Sequence, residues 1–199
     1  MKIITKVLPL LLPVAFMANV SAQEAPKVAE DKPLKFVAGM GLTFGGEKLS
    51  TVSFTDGTSS DIRSGGLVQL VGGVDYRINK QFSVQSSVSY HVDGIGASNG
   101  GLTFSRFPIE LLGYYHINDQ WRVGGGVRYV TNIRMSGSGA AAMPTLSFDN
   151  ATGGVLEAEY FTSTRLGVKF RLVKEEYKIS GTNQKVSGNH GGVFANMYF

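Results

Sequence analysis

The chain has 199 residues, enough for one ordinary domain, with 19 lysines and arginines against 15 aspartates and glutamates. No basic run with interleaved aromatic residues occurs, so the sequence does not predict nucleic-acid binding. The absence of cysteine excludes a disulfide-stapled fold, and the 26 glycines are about twice the usual share of ~7%.

The N-terminus has the features of a secretory signal peptide. Lys2 and Lys6 precede an apolar stretch over residues 7–20, and Val20 and Ala22 are small residues at the spacing that a signal peptidase reads. The alternative is a buried N-terminal helix. We therefore predict a signal peptide over residues 1–22, a flexible periplasmic leader over residues 23–34 and a barrel domain over residues 35–199. Removal of the signal peptide lowers the net charge from +4 by two.

After the leader, eight segments alternate apolar and polar residues with a period of two, which is typical of β-strands with two different faces. Their apolar faces begin at Phe36, Val68, Phe82, Phe107, Trp121, Leu156, Leu166 and Val193. The connections alternate in length. Short ones are predicted at 79–81, 118–120 and 162–164, and longer ones, rich in Gly, Ser, Asn and Asp, at 45–65, 93–101, 131–151 and 174–190.

A repeated stretch indicates the short turns. The sequence YRINKQF from Tyr76 returns as YHINDQW from Tyr115. Asn followed by a charged residue is typical of a tight polar turn. A three-residue loop in each short connection puts Glu110 opposite Arg128 in the second hairpin. In the third hairpin it puts Glu157 opposite Lys169, so opposite charges meet on the polar face.

Alternation alone does not show which face is inside, because a soluble ligand-binding barrel would line its cavity with the apolar face. Three features favour an apolar exterior: alternating loop lengths, an aromatic girdle near the short turns, and a polar face in which long charged side chains alternate with Gly and Ser. The predicted girdle comprises Phe36, Tyr76, Phe82, Tyr115, Trp121, Tyr160 and Phe199. The predicted lumen charge network comprises Asp75, Arg77, Arg106, Glu110, Arg122, Arg128, Glu157, Glu159, Arg165, Lys169 and Arg171.

With its signal peptide, eight amphipathic strands and closing GGVFANMYF, the sequence resembles small outer-membrane β-barrels of the OmpA/OmpX type. The resemblance implies an all-β, eight-stranded antiparallel up-and-down barrel in the outer membrane of a Gram-negative bacterium. It also implies that a C-terminal signal, Phe199 with Met197, Ala195 and Val193, is read by the barrel-assembly machinery. Outer-membrane lipid and lipopolysaccharide are the expected partners, and the expected state is a monomer.

Candidate catalytic groups have a structural alternative in each case. Glu157 and Glu159 lie two residues apart on one face, as a glycosidase pair could, but the basic residues of the next strand offer them ion pairs. His91 has Ser89 and Asp93 nearby, although the order does not match the lipid A deacylase pattern. The three histidines lack metal-ligand spacing, and the loop 136–144 lacks a phosphate-loop motif. We therefore predict no catalytic residue, metal or cofactor.

Two long connections contain hairpin signals. Asp56-Gly57 within residues 51–62 predicts a turn between β-prone runs, and residues 175–186 have a similar composition. Such ribbons either project to partners or cap the barrel mouth. The sequence therefore predicts a non-enzymatic barrel with a plugged lumen and a structural or surface-interaction role. The alternatives are a narrow passive pore and, with less support, a lipid A-modifying enzyme.

Overall fold

A computed structural model describes residues 33–53, 59–97 and 100–199. The predicted signal peptide, most of the predicted leader and the Asp56-Gly57 turn lie outside these residues. The described part of the chain forms twelve β-strands: β1 Leu34–Gly45, β2 Lys48–Ser53, β3 Ser59–Arg63, β4 Leu67–Arg77, β5 Phe82–Ala97, β6 Gly100–His116, β7 Trp121–Gly139, β8 Met143–Ser147, β9 Ala151–Phe161, β10 Leu166–Lys178, β11 Lys185–Ser187 and β12 His190–Tyr198.

Eight of these strands close into an antiparallel barrel. Each of β1, β4, β5, β6, β7, β9, β10 and β12 pairs with its neighbours, and β12 pairs with β1 to complete the circle. Closure satisfies the backbone N–H and C=O groups between strands and leaves no polar edge along the wall. The predicted eight-stranded fold is confirmed.

The three short turns share one design, which explains the repeated sequence. Asn79 Oδ1 accepts hydrogen bonds from the N–H groups of Gln81 and Phe82, each at 2.8 Å. Asn118 Oδ1 does the same for Gln120 at 2.9 Å and Trp121 at 2.8 Å. An Asn at the first loop position therefore supplies the acceptor for two backbone N–H groups that have turned away from the ladder.

The predicted position of the third short loop was wrong by one residue. Ser163 takes the place of the asparagine, because its Oγ accepts from the N–H groups of Arg165 and Leu166. The loop is therefore 163–165 rather than 162–164. Glu157 lies opposite Arg171, and Glu159 lies opposite Lys169, so the expected Glu157–Lys169 register is corrected. The Glu110–Arg128 register is confirmed.

Apolar residues cover the outside of the barrel between two belts, which lie eight residues apart on each strand. The inner belt, beside the short turns, includes the predicted girdle. The outer belt includes Phe44, Tyr90, Phe107 and Tyr129, all exposed. Eight residues span about 26 Å of strand, or about 20 Å of height at a tilt of about 40°, which approaches the ~25 Å apolar band of outer-membrane barrels.

Beyond the outer belt the fold continues as a smaller structure with its own apolar core. The strands β5, β6, β7 and β10 extend past the belt, and the hairpin β2–β3 and the strands β8 and β11 join them. We call the buried residues of this core the apolar cap. They are Ile62, Leu102, Phe104, Val130, Ile133, Met135, Phe148, Ala151 and Tyr177.

A bulge in β7 turns the apolar residues of this strand inward. Ser105 pairs with Arg134 and Phe107 with Thr131, so two residues of β7 oppose Arg106 alone. Asn132, one of these two residues, has a φ of 50°. Below the bulge the even-numbered residues of β7 face inward. Above it the odd-numbered residues do, and Ile133 is buried in the apolar cap.

Candidate functional site: the charged lumen and the apolar cap

The lowest level of the lumen is built around Arg122 on β7. Its Nη1 donates to Asp75 Oδ2 of β4 at 2.6 Å, and its Nε donates to Glu159 Oε2 of β9 at 2.8 Å. Nη2 donates to the hydroxyl of Tyr198 on β12 at 2.7 Å, and the guanidinium lies 4.0 Å from the ring centre of Tyr114 on β6. One arginine thus joins five strands across the barrel, and both carboxylates that face it are paired.

The middle level contains a second ladder of opposite charges. Lys169 Nζ lies 2.8 Å from Glu157 Oε2. Arg171 contacts Glu157 and also forms a bidentate pair with Glu110, with donor–acceptor distances of 3.1 and 2.7 Å. Tyr114 donates its hydroxyl hydrogen to Glu157. These contacts connect β6, β9 and β10 through the centre of the lumen.

The upper level is centred on Glu175. Its Oε2 lies 3.2 Å from Arg128 Nε, and its Oε1 lies 3.6 Å from His190 Nδ1. The hydroxyl of Tyr177, directly above, donates to Glu175 Oε1. Burial raises the pKa of the Tyr177 hydroxyl, so it stays protonated and remains a donor. Tyr177 therefore connects the charged lumen below to the apolar cap above.

Arg106 lies at the boundary between lumen and cap. It is completely buried, its Nη2 lies 2.9 Å from His91 Nε2, and its guanidinium stacks at 4.9 Å from the ring centre of Phe104. Its Nε and Nη1 have no hydrogen-bond partner among the described residues. Arg106 thus contacts an apolar ring on one side and an imidazole on the other, and no carboxylate of the described residues forms an ion pair with it.

Glycines on the inward face make room for these long side chains. A Cβ on Gly124 would overlap the ring of Tyr114, and one on Gly41 would overlap the ring of Phe194. The close approach of these aromatic rings to the barrel wall requires a residue without a side chain. This is the physical reason for alternating glycine and large residues, as the sequence indicated.

The hairpin β2–β3 folds over the mouth of the barrel. Ile62 is completely buried in the apolar cap, and the residues Ser64 to Gly66 are buried directly after it. The N–H of Arg63 donates to Asp93 Oδ2 at 2.8 Å, and Ser64 Oγ donates to the carbonyl of Ser187 at 2.5 Å. Burial raises the pKa of the Asp93 carboxyl. The contacts of the described residues favour a hairpin that caps the barrel mouth over one that projects to partners.

Most of the predicted lumen residues come together in the interior. Buried there are Asp75, Arg106, Glu110, Arg122, Arg128, Glu157, Glu159, Lys169 and Arg171. The prediction was wrong for two arginines near the short turns. Arg165 is exposed in the third turn, and Arg77 is half-buried with its Nη1 donating to the carbonyl of Lys80. Both lie where the barrel opens to water, so neither needs a buried partner.

Sequence reasoning missed several members of the network. Glu175 was assigned to a loop, although β10 runs on to Lys178. Tyr114 and Tyr198 were not included in the predicted network, yet they face inward and hydrogen-bond to glutamates. Strand alternation was the available signal, because odd and even positions of a strand face opposite sides. Tyr198 therefore lies on the opposite face from Phe199, and Tyr114 lies on the same face as Glu110.

The predicted girdle and assembly residues lie on the outer surface. Phe36, Tyr76, Phe82, Tyr115, Trp121 and Phe199 are exposed and Tyr160 is half-buried, with ring pairs Phe82–Tyr115 and Trp121–Tyr160. In the C-terminal strand, Val193 and Met197 are exposed and Ala195 is half-buried. Recognition of this strand by an assembly machinery stays a prediction.

The groups that could suggest an enzyme are occupied by structural contacts. Glu157 and Glu159 are both ion-paired. His91 faces Arg106 and Thr43, whereas Asp93 accepts from Arg63 and Ser89 bonds to Gln69. A Ser-His-Asp relay requires the serine to hydrogen-bond to the histidine and the histidine to the aspartate, and these three residues have other partners instead. Among the described residues no cluster of three or more potential metal ligands is found.

Comparison with known proteins identifies this architecture. Residues 10–199 match the outer membrane protein β-barrel domain profile. The chain belongs to this family. It is therefore a bacterial outer-membrane β-barrel of the Gram-negative type, with a buried charge network inside. No helix in the described part of the chain is long and apolar enough to cross a membrane.

Solved structures were also compared with the chain, and one of them supports the fold. Ail, the attachment invasion locus protein of Yersinia pestis, is similar with a TM-score of 0.51 and 12% identity, covering 83% of this chain and 97% of that one. Neisserial surface protein A has a TM-score of 0.48 and 12% identity, covering 83% and 96%. OprG from Pseudomonas aeruginosa has a TM-score of 0.46 and 12% identity, covering 84% and 96%. None of the curated proteins matches the chain.

Proposed function

We propose that this barrel is a sealed, non-enzymatic outer-membrane protein that acts through the surface it presents outside the cell. Its lumen is a plug rather than a conduit, and its partners are outer-membrane lipid, lipopolysaccharide and extracellular ligands that contact the cap strands. It works as a monomer and is inserted through recognition of its C-terminal strand.

The observation that carries the proposal is that charged side chains fill the lumen and an apolar core fills the space above it. Five buried carboxylates and five buried lysines or arginines among the described residues occupy the lumen up to its boundary with the apolar cap, which lies above them. Ions would have to break paired charges in the lumen and then cross a dry core. Both steps are costly, because unpaired buried charges lose hydration without compensation.

Conductance in a planar lipid bilayer tests the sealed lumen. We expect no steady current from the reconstituted wild-type barrel. Removing the apolar cap by the substitutions Phe104→Ser and Ile133→Ser should still give no steady current, because the charged levels below remain. A steady open-channel current from the wild-type barrel would overturn the proposal in favour of the narrow pore.

The narrow pore has one supporting observation. Arg106 Nε and Nη1 and Arg128 Nη2 are buried without partners among the described residues, so the top of the lumen has spare donors that could bind transient water. By contrast, no guanidinium nitrogen of Arg122 or Arg171 is buried without a partner among the described residues. The sealed barrel is therefore the better supported function.

Incubation with lipid A tests the absence of enzymatic activity. The purified barrel should release no acyl chain from lipid A, and the variant His91→Ala should behave in the same way. Acyl release that disappears in His91→Ala would replace the proposal with a lipid-modifying enzyme.

A further inference from the structure

The outer belt is aromatic on one side of the barrel only. The residues at its level, one per strand around the barrel, are Phe44, Val68, Tyr90, Phe107, Tyr129, Thr152, Lys174 and Gly191. The adjacent strands β9, β10 and β12 therefore contribute a hydroxyl, an amine and a glycine, whereas four of the other five strands contribute an aromatic ring and β4 contributes Val68. The inner belt has no such charged member, since the corresponding residues of β9, β10 and β12 are Tyr160, Leu166 and Phe199.

Lys174 is the cation in this gap. It is exposed on the outward face of β10, and no ion pair to it is found among the described residues. Its partner on β9 is Gly154, where an added Cβ would meet nothing within 4 Å. The flank of Lys174 is therefore open to a ligand that approaches along the barrel wall.

Two more lysines lie above it towards the outside. Lys178 follows on the same face of β10, with its Nζ 3.9 Å from Asp149, and Lys185 on β11 lies 2.8 Å from Glu176. We call Thr152, Lys174, Gly191, Lys178 and Lys185 the lysine sector. Counted together with the partners Asp149 and Glu176, the lysine sector has one more positive than negative charge at the level where the outer leaflet carries its head groups.

An apolar groove runs beside the lysine sector within the membrane. It has a volume of about 680 Å³, and its outward-facing lining residues are Ser86, Ile109, Leu111, Val127, Tyr129 and Thr152. Thr152 is the direct partner of Tyr129 and belongs to the lysine sector. The groove and the sector therefore form one continuous surface, with room for acyl chains below and cations above.

We propose that the lysine sector and this groove dock a phosphate-bearing lipid of the outer leaflet, with the phosphate on Lys174 and Lys178 and an acyl chain in the groove. The inference deepens the lipid partnership of the proposed function. A basic residue near a membrane surface attracts an anionic head group, whereas aromatic belt residues anchor at the interface without selecting charge. The lysine sector, on the side of the outer belt that lacks aromatic rings, would fix the rotational position of one lipid against the barrel wall.

Native mass spectrometry of the full barrel in zwitterionic detergent tests the proposal. Diphosphoryl lipid A is titrated, with dephosphorylated lipid A of the same acyl chains and inorganic phosphate as comparison ligands. We expect Lys174→Met to weaken lipid A binding about fivefold and the double variant with Lys178→Met about 25-fold, since each lysine near an anionic head group contributes about 1 kcal/mol. Lys48→Met on β2 is the matched control, because Lys48 is exposed like Lys174 and Lys178 and, like Lys178, lies just under 4 Å from an aspartate.

Any of these results would overturn the proposal: equal loss in Lys48→Met, equal binding of dephosphorylated lipid A, or unchanged binding in the double variant. Displacement of lipid A by millimolar inorganic phosphate would also overturn it, since the site would then bind free phosphate. The conductance experiment is independent of these outcomes. A barrel that seals but ignores lipid phosphate defeats this inference alone, and a barrel that conducts defeats the proposed function alone.

Discussion

The membrane-spanning barrel and the apolar cap share the strands β5, β6, β7 and β10, whose inward residues differ in character between the two regions. On β6 the inward residues change from Glu110 and Arg106 to Phe104 and Leu102, while the outward residues change from Phe107 to Ser105. Below the outer belt the strand meets lipid outside, and above it the strand meets water. The surroundings therefore decide which face is apolar, and the interior takes the opposite character.

The two interiors also differ in how they are held together. The lumen depends on directional charge pairs, in which loss of one partner leaves another buried and unpaired. The cap depends on packing among Phe104, Phe148 and Tyr177, whose ring centres lie 5.5 to 6.5 Å apart. Substitutions in the two regions should consequently fail in different ways.

The largest expected effect is at the base of the lumen. Arg122→Met leaves Asp75 and Glu159 buried without their shared partner, which should lower the free energy of unfolding by about 3–5 kcal/mol. Urea unfolding of the barrel in phospholipid vesicles measures this. Arg165→Met, at the same end but exposed, should stay within about 0.5 kcal/mol. Equal costs for both would show that the lumen network does not hold the barrel together.

The next effect compares two phenylalanines on β6. Phe104→Ala creates a cavity in the apolar cap and should cost about 3 kcal/mol, whereas Phe107→Ala removes a lipid-facing ring and should cost less than about 1 kcal/mol. The Phe104 variant should lose hydrogen-exchange protection in the cap while the strands between the two belts keep theirs. Loss of protection throughout the barrel would mean that the cap and the barrel form one cooperative unit.

The smallest effect is at the bulge that inverts β7. Asn132→Val forces a β-branched residue to a φ of 50° and should cost about 1–2 kcal/mol. Asn132→Gly should stay close to the wild-type value, because glycine adopts positive φ without a steric penalty. Urea unfolding of both variants measures the difference. A Val variant as stable as the Gly variant would contradict the prediction, because the positive φ at position 132 would then carry no steric cost for a β-branched residue.

Sequence periodicity predicted the eight strands, their lipid-facing sides and two of the three short turns, because alternation and asparagine turns are local signals. The third turn was misplaced because Thr162 and Ser163 both carry a hydroxyl that could accept the turn's N–H groups, and only the fold shows which one does. A one-residue change in the loop then moved Glu157 from Lys169 to Arg171.

The apolar cap was not predicted. Residues 131–151 were assigned to a loop, because the bulge at Asn132 breaks the alternation that would have marked Ile133 and Met135 as one face of a strand. Ile62 gave no sign of its partners, since the contacts that bury it come from distant strands. The charge network followed the same rule: opposite charges on adjacent strands could be paired in advance, whereas Arg122 reaching Asp75 across the lumen could not.

Spin labels on β7 test the inversion of faces most directly. Labels placed singly at Val127, Ile133 and Arg134 in bilayers would be probed with oxygen, which concentrates in lipid, and with a water-soluble nickel complex. We expect Val127 to be accessible to oxygen, Arg134 to the nickel complex and Ile133 to neither. A label at Val127 that is shielded from oxygen and reached by the nickel complex would contradict the account, because the apolar face would then line an aqueous cavity.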